Sequence, residues 1–442
     1  MGALEEWIAE MFLVHSLNLL RFSAGTQDKI LALMGAMSRE LTAKLNAAGE
    51  IESFGKQRMA ALLRESNAVI ASHYTGMQAE MTRNLTGMVR IEADYTAKVL
   101  TQGLKIELGA KLPPANYLEK LVGDTLIKGA PSADWWKRQA LDTQFRFASQ
   151  VRLGAAQGET TSQIVSRVLG KSTKAADALV DKPALPAMPP MPDSKGAPPS
   201  SKAGNAASDA PAGPKGKAPG APGSPSAPPT GPAAKPGSPA ADPAAKPAAK
   251  GPTAAPDPVA PGEQGILKAS AANARALVHS SVQAVANAAR LASFQQNADL
   301  IECLVWLSTL DSHTCLLCAM RDLHEYSLDG QEPINHTHEW AGGPGAIHFS
   351  CRCVLSTRTK TFAELGIELD EPGDSTRPSD GGAVSSKMNF ASFLASKDKA
   401  WRAEYLGPGR AEMYEAGKIT LNDLMNLKGR KLTLEELQAK YK

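Results

Sequence analysis

The feature that most limits what this chain can fold into is a low-complexity segment in its middle, from about residue 171 to 262. It consists mostly of Ala, Pro, Gly, Ser, Lys and Asp, and it contains no aromatic residue, no Cys and no His. Such a composition cannot bury enough apolar surface to offset the conformational entropy of the chain. We therefore expect a disordered, extended insertion, either a tether or a tolerated insertion of no consequence.

Residues 1–150 are predicted to form a helical N-terminal domain. They are rich in Ala, Leu, Met, Glu, Lys and Gln, which favour helices. The expected helix breaks are Gly25, Gly49, Pro113–Pro114 and Pro131. Nothing in this region indicates catalytic chemistry, and the isolated His15 and His73 are expected to have structural or surface roles.

The beginning of the chain is apolar enough to raise the question of a signal or membrane segment. Glu5, Glu6 and Glu10 stand where a secretory signal would carry basic residues. No uncharged apolar stretch reaches the about 18 residues that a spanning helix needs. We expect no membrane span, but a packed amphipathic first helix. The net charge of +3 over 442 residues gives no global indication of nucleic-acid binding.

After the insertion, the sequence predicts one long helix and a short strand. Residues 268–298 have an Ala-rich helical pattern, and Leu300–Leu307 is an apolar run of strand length. Beyond Thr361 the pattern is again helical, and the run from Thr433 to Glu436 matches a capping box. The expected fold is mainly α, with a helical N-terminal region, a small α+β domain that contains all the cysteines, the disordered Pro/Ala-rich insertion and a helical C-terminal tail.

All five cysteines lie in one short stretch of the chain: Cys303, Cys315, Cys318, Cys351 and Cys353. A disulfide framework would distribute its cysteines to staple loops, whereas a tight cluster in a large chain is typical of metal binding. Cys315-x2-Cys318 forms one ligand pair. A second group, His348-Phe-Ser-Cys351-Arg-Cys353, follows a loop that Gly342-Gly-Pro-Gly345 can reverse.

These residues predict one structural zinc ion, because zinc prefers four Cys or His ligands at tetrahedral corners. The expected ligands are Cys315, Cys318 and Cys351, with Cys353 or His348 as the fourth. Cys303 is expected in the buried strand, as a small hydrophobic residue. The alternative is a set of reduced, partly buried thiols without a metal.

Three enzymatic interpretations were compared with this pattern, and none fits well. A zinc deaminase needs H-x-E upstream of P-C-x-x-C, whereas His338 and Glu339 are adjacent and lie downstream. A Cys nucleophile with His313 and Asp311 has no geometric support, because sequence neighbours rarely converge as a triad. A metal nuclease could use the residues His336, His338 and Asp329, but the expected downstream Asn-His pairing is absent. We expect the chain not to be an enzyme.

One motif resembles a known family. Val305-Trp306, Asp311, Thr314-Cys315-x2-Cys318, Asp329-Gly330 and the closing His348-x2-Cys351-Arg352-Cys353 resemble the head-morphogenesis domain of the phage Mu F-like minor head proteins. Two positions differ from the family pattern, since His313 stands where Arg is usual and Phe349 where Pro is usual.

The resemblance extends on both sides of this motif. The run Gly158–Ile164 is similar to the start of the family's domain, and Leu406–Arg410, Gly417–Leu421 and Leu432–Leu434 are similar to the C-terminal part of such proteins. By this resemblance the domain covers residues 151–355, interrupted by the linker 171–262, and a helical C-terminal region covers 356–442.

The resemblance implies a minor capsid protein that acts in head morphogenesis of a tailed bacteriophage. It implies a structural role at the portal or inner capsid during prohead assembly and DNA packaging. The portal protein and the major capsid protein are the implied partners. The protein would be found in the virion, in the head interior or at the portal vertex, and in the host cytoplasm during assembly.

The alternative function is a DNA-binding or nuclease-like zinc protein that acts on phage DNA. In that case Arg352, Arg358 and Lys360 would contact DNA phosphates, and binding would depend steeply on salt concentration.

Overall fold

Five helices before the insertion and one helix after it form the first part of the fold. The computed structural model describes residues 3–105, 109–169, 265–368, 376–426 and 430–441, so the predicted insertion at 171–262 lies outside the described residues. The helices are α1 (Ala3–Ala48), α2 (Lys56–Leu104), α3 (Ala115–Asp124), α4 (Ser132–Ala156), α5 (Thr161–Leu169) and α6 (Ile266–Gln296). A 3-10 turn (Ile51–Ser53) follows α1, and a two-residue hairpin, β1 (Leu126–Ile127) with β2 (Ala130–Pro131), precedes α4.

Three of the four predicted helix breaks are confirmed, and the prediction of a break at Gly25 is wrong. Gly49 follows the end of α1 with φ +85°, Pro114 caps α3, and Pro131 caps α4. Helix α1 runs through Gly25 without interruption. A glycine in a helix costs about 1 kcal/mol relative to Ala. Burial of Leu19 and other apolar residues on both sides of it outweighs that cost.

Helix α6 packs with α1, α2 and α4, so residues on both sides of the insertion share one hydrophobic core. Its predicted span of 268–298 agrees with the observed Ile266–Gln296. The Ala-rich sequence lets neighbouring helices approach closely, because most of its side chains are small and buried. The domain boundary predicted at residue 150 stays a prediction, but the helices on its two sides pack together.

A buried ion-pair network joins helices α1, α2 and α6. Arg290 of α6 donates to Glu92 of α2, and the other carboxylate oxygen of Glu92 lies 2.9 Å from Nε2 of His15 in α1. Phe12 lies under the Arg290 guanidinium, and the ring of Tyr95 stacks on His15 at 3.8 Å. The expected structural role of His15 is thus a buried contact between helices.

A four-stranded antiparallel sheet lies next to the helices. Its strands are β3 (Ile301–Leu307), β4 (Glu325–Tyr326), β5 (Pro333–Ile334) and β6 (Val354–Thr359), in the order β5-β4-β3-β6. The predicted strand at 300–307 is confirmed. Strand β3 is buried at every residue except Glu302, because helices cover one face of the sheet and the following loops cover the other.

The C-terminal part contains the predicted helices and a hairpin that was not predicted from the sequence. The hairpin pairs β7 (Thr376–Ser379) with β8 (Gly382–Ser385). A one-turn helix, α7 (Leu316–Ala319), follows β3. The C-terminal helices are α8 (Phe390–Ser396), α9 (Lys399–Leu406), α10 (Pro408–Glu415) and α11 (Leu434–Lys440), with a 3-10 turn at Leu421–Leu424. The predicted capping box at Thr433 and Glu436 is present. None of the described helices combines the length and apolar character that a bilayer crossing requires.

Candidate metal centre

The first ligand pair lies on a one-turn helix that follows strand β3. Cys315 caps this helix, α7 (Leu316–Ala319), and the amide of Cys318 donates to the Cys315 carbonyl at 3.1 Å. Three residues make about one helical turn, so both thiols point to the same side. The pair lies beside the sheet because β3 delivers the chain to this point.

The second group is positioned by two tight turns. Gly345 has φ +80°, and a Cβ there would lie 2.8 Å from the Gln283 backbone oxygen of α6. Ser350, between His348 and Cys351, has φ +59°, and its amide donates to Ser280 Oγ at 2.8 Å. The positive φ angles of Gly342, Gly343 and Gly345 agree with the predicted chain reversal. The contacts of Gly345 and Ser350 hold the loop closely against α6.

The predicted ligand residues converge on one small volume. His348 Nε2 lies 3.1 Å from the Sγ atoms of both Cys315 and Cys318. The Sγ atoms of Cys318 and Cys351 are 3.7 Å apart. Two groups of candidate ligands, each with all ligand atoms within 4.8 Å of one another, share Cys318: one adds Cys315 and His348, the other adds Cys351 and Cys353.

The orientation of the His348 ring leaves one nitrogen available for a metal. Its Nδ1 atom lies 2.7 Å from the carbonyl oxygen of Phe349, which can only accept a hydrogen bond. Nδ1 therefore carries the proton, and Nε2 is the nitrogen that faces the thiols. Metal-ligating histidines are commonly oriented by such a hydrogen bond from the other ring nitrogen.

The thiols perturb one another strongly because they are buried and close together. Hydrogen bonds from Cys318 lower the pKa of Cys315 to about 5, and they also lower the pKa of Cys351. Donation to these two thiolates raises the pKa of Cys318 itself. Burial alone would lower the pKa of His348, but hydrogen bonds and charges from Cys315 and Cys351 raise it to about 11. Such a cluster concentrates negative charge that a bound cation could neutralise.

Polar contacts hold the loops that carry the ligands. Arg352 donates to both carboxylate oxygens of Asp311, at 2.6 and 2.7 Å. Although burial opposes it, this pairing holds the pKa of Asp311 below its usual range. Asn287 of α6 donates to the Cys353 carbonyl and accepts from the Leu355 amide. The second ligand group is thereby attached to both the first loop and α6.

Sequence reasoning missed a second, fully buried support for the centre. Ser308 Oγ donates to the Cys318 carbonyl and lies 3.5 Å from Cys353 Sγ. The Ser308 amide donates to Asp322, and Arg377 of β7 pairs with Asp322 at 3.0 Å. No local signal in the sequence could have identified this pair, because Arg377 comes from the hairpin that the pattern did not predict.

Cys303 lies in strand β3, as predicted, and is separate from both ligand groups. It is 1% exposed, and burial raises its pKa to about 12. A neutral, buried thiol of this kind behaves as a small apolar side chain.

The residues of the enzymatic alternatives are placed elsewhere. The rings of His336 and His338 stack on His324, with centroid distances of 4.1 and 5.0 Å. Within the described ranges, no close group of three candidate ligands includes either of them or Asp329. His313 lies on the surface, where its amide donates to Asp311.

The basic residues considered for DNA contact all have partners within the chain. Arg352 pairs with Asp311, Arg358 pairs with Glu302 and Glu325, and Lys360 donates to the Asp299 carbonyl at 2.7 Å.

Comparison of the chain with models of protein families, with curated proteins and with solved structures finds no match. Inference about function therefore depends on the residues of the centre and on their geometry.

Proposed function

We propose that the chain is a minor head protein of a tailed bacteriophage whose Cys/His cluster holds one structural zinc ion. The observation that carries this proposal is that the motif residues contact one another around the cluster. Asp311 pairs with Arg352, and Thr314 Oγ1 donates to the Thr309 carbonyl beside it. Trp306 is fully buried in the strand that leads to the first thiol pair. Because these motif residues all support the Cys/His cluster, we interpret the motif as one structural unit.

We infer that the four ligands are Cys315, Cys318, His348 and Cys351. A Zn–S bond of about 2.3 Å places two tetrahedral thiolates roughly 3.8 Å apart, close to the 3.7 Å between Cys318 and Cys351. His348 directs Nε2 at Cys315 and Cys318, 3.1 Å from each sulfur, and a bound zinc ion would take the place of the proton on that nitrogen. Cys353 is the spare thiol, because its Sγ atom lies 3.5 Å from Ser308 Oγ, which serves as its hydrogen-bond partner.

A centre with four protein ligands is closed, which is characteristic of structural rather than catalytic zinc. Bound zinc would supply folding free energy by connecting the end of β3, helix α7 and the start of β6. The protein residues keep the ligands in place through the Asp311–Arg352 pair and the buried Asp322–Arg377 pair. This chemistry supports an assembly protein and requires no bound substrate.

The proposed partners are the phage portal protein and the major capsid protein, and the proposed location is the head interior or the portal vertex. Long helices and a rigid metal-supported loop region suit a protein that holds surfaces together. The test is the composition of proheads and virions from the phage that carries this gene, measured by quantitative mass spectrometry. We expect a few copies per particle, and heads made without the protein should be defective or poor in DNA.

A variant with both His336 and His338 replaced by Gln is the matched control for a nuclease. It should retain zinc and assemble normally. Absence of the protein from proheads and virions, combined with metal-dependent DNA cleavage that this variant loses, would overturn the proposal.

A further inference from the structure

Helix α4 exposes three large apolar side chains, of which Leu141 and Phe145 lie one turn apart on the same face and Leu153 lies off that face. Leu141 is 57% exposed and Phe145 is 73% exposed, whereas Trp136 and Phe147 on the opposite side of the helix are buried. Isolated exposed apolar residues are normal, but adjacent ones on a regular helix often mark an interaction surface.

Charged residues continue this stripe towards both ends of α4. Asp134 and Arg138 precede Leu141 at spacings of four and three residues, and Arg152 follows Phe145 by seven residues, or two turns, on the same face. The position between Phe145 and Arg152 is the buried Ala148. Together with Leu141 and Phe145, these charged residues form a helix-pairing seam. Asp134 and Arg152 are exposed, and the described part of the chain provides no ion-pair partner for either. Asp142 and Arg146 pair with each other at 2.8 Å, so they do not contribute charge to the seam.

We propose that this seam binds a second copy of the chain, with the two α4 helices antiparallel. A twofold axis midway between Leu141 and Phe145 places Leu141 of one copy against Phe145 of the other. The same axis places Asp134 against Arg152 at both ends. One surface is therefore complementary to itself in shape and charge, as an isologous dimer requires.

The charges select the antiparallel arrangement over the parallel one. In a parallel, in-register pair, each Asp134 would face Asp134 and each Arg152 would face Arg152, and like charges across a helix interface are repulsive. Each copy offers only two large apolar side chains to the seam, whereas a standard stable interface buries about 800 Å² per partner. The association is therefore weak in the isolated protein and depends on protein concentration.

The test is sedimentation velocity of the full chain across a hundredfold range of protein concentration. The wild type should show a concentration-dependent dimer, and Phe145→Glu should abolish it. Ile91→Glu, at a 63% exposed apolar residue of α2, is the matched control and should leave the dimer unchanged. Circular dichroism should show unchanged helix content in both variants.

Charge exchange tests the antiparallel register itself. Asp134→Arg and Arg152→Asp should each raise the dissociation constant about tenfold, because each change replaces two attractive contacts with repulsive ones. An equimolar mixture of the two variants should restore dimers, since every contact is then between opposite charges. A monomeric wild type at all concentrations, or a mixture no tighter than either variant alone, would overturn the proposal.

Discussion

Cys318 is the residue on which the metal centre depends most, since it belongs to both groups of candidate ligands. Its neighbours differ in a way that can be tested, because Cys351 faces it at 3.7 Å while Cys353 has Ser308 as a partner. The C-x2-C and H-x2-C spacings predicted the cluster correctly because both are local turns. The choice of the fourth ligand depends on ring orientation, which the sequence does not encode locally.

Single replacements should identify the ligands. Cys315→Ser, Cys318→Ser and Cys351→Ser should each release zinc and destabilise residues 300–356, because a missing thiolate opens the site. Cys353→Ser and Cys303→Ser should retain zinc. Zinc release can be measured with a chromogenic chelator during titration, and hydrogen exchange would locate the destabilised residues. Loss of zinc in Cys353→Ser with retention in a His348→Ala variant would assign the ligands the other way.

Glu92→Gln should destabilise the protein by about 3–5 kcal/mol, because it leaves Arg290 buried without a counter-charge. Glu92 and Arg290 side chains are each 1% exposed. Glu119→Gln is the matched control, since its pair with Arg90 is about half exposed, and it should cost less than about 1 kcal/mol. Urea unfolding at neutral pH measures both. Equal losses of unfolding free energy in the two variants would contradict a stabilising role for the buried ion-pair network.

The stability difference between wild type and Glu92→Gln should also depend on pH. Burial alone would raise the pKa of Glu92, but the charges of Arg290 and His15 hold it below its usual range. A lowered pKa in the folded state gives stability above the unfolded-state pKa of about 4.3, and this stability is lost as pH falls through the folded-state pKa. The stability gap between wild type and Glu92→Gln should narrow in acid. Both proteins contain the same Cys/His cluster, so its acid sensitivity cancels in the comparison.

At the scale of elements, the sequence predicted where the helices lie better than it predicted whether each helix is continuous. Gly49, Pro114 and Pro131 end or begin helices because they restrict or free the backbone at that position. Gly25 did not, because packing on both sides of α1 outweighs a local preference. The hairpin β7–β8 was missed although Asp380-Gly381 between its strands is a turn signal, because both strands are four residues long, mostly exposed and without an apolar alternation.

The turn at Gly345 provides an element-scale prediction. Gly345→Ala should cost about 1–2 kcal/mol for the left-handed backbone and a further about 1–3 kcal/mol for the close contact with α6. Gly366→Ala is the control, because φ there is +71° and a Cβ would meet nothing within 4 Å. Only Gly345→Ala should also weaken zinc binding, since that turn leads to His348. Equal unfolding free energies for the two variants would contradict the contact.

At the scale of the whole molecule, the sequence predicts that limited proteolysis first cuts within 171–262, where the composition disfavours a folded core. The two resulting fragments should stay together under native conditions, because α1 and α2 pack against α6 and share its core. Size-exclusion chromatography of the cleaved protein followed by mass spectrometry measures this. Separate elution of the fragments, or slow amide exchange across 171–262, would contradict it.

We propose that the converging Cys and His residues form a closed structural zinc centre. The most direct measurement is the zinc-to-chain ratio of the purified full-length protein, by inductively coupled plasma mass spectrometry, together with its thermal unfolding before and after chelation. We predict about one zinc per chain and a marked decrease in melting temperature after zinc is removed. Protein that is folded without metal and melts at the same temperature after chelation would contradict a structural zinc centre.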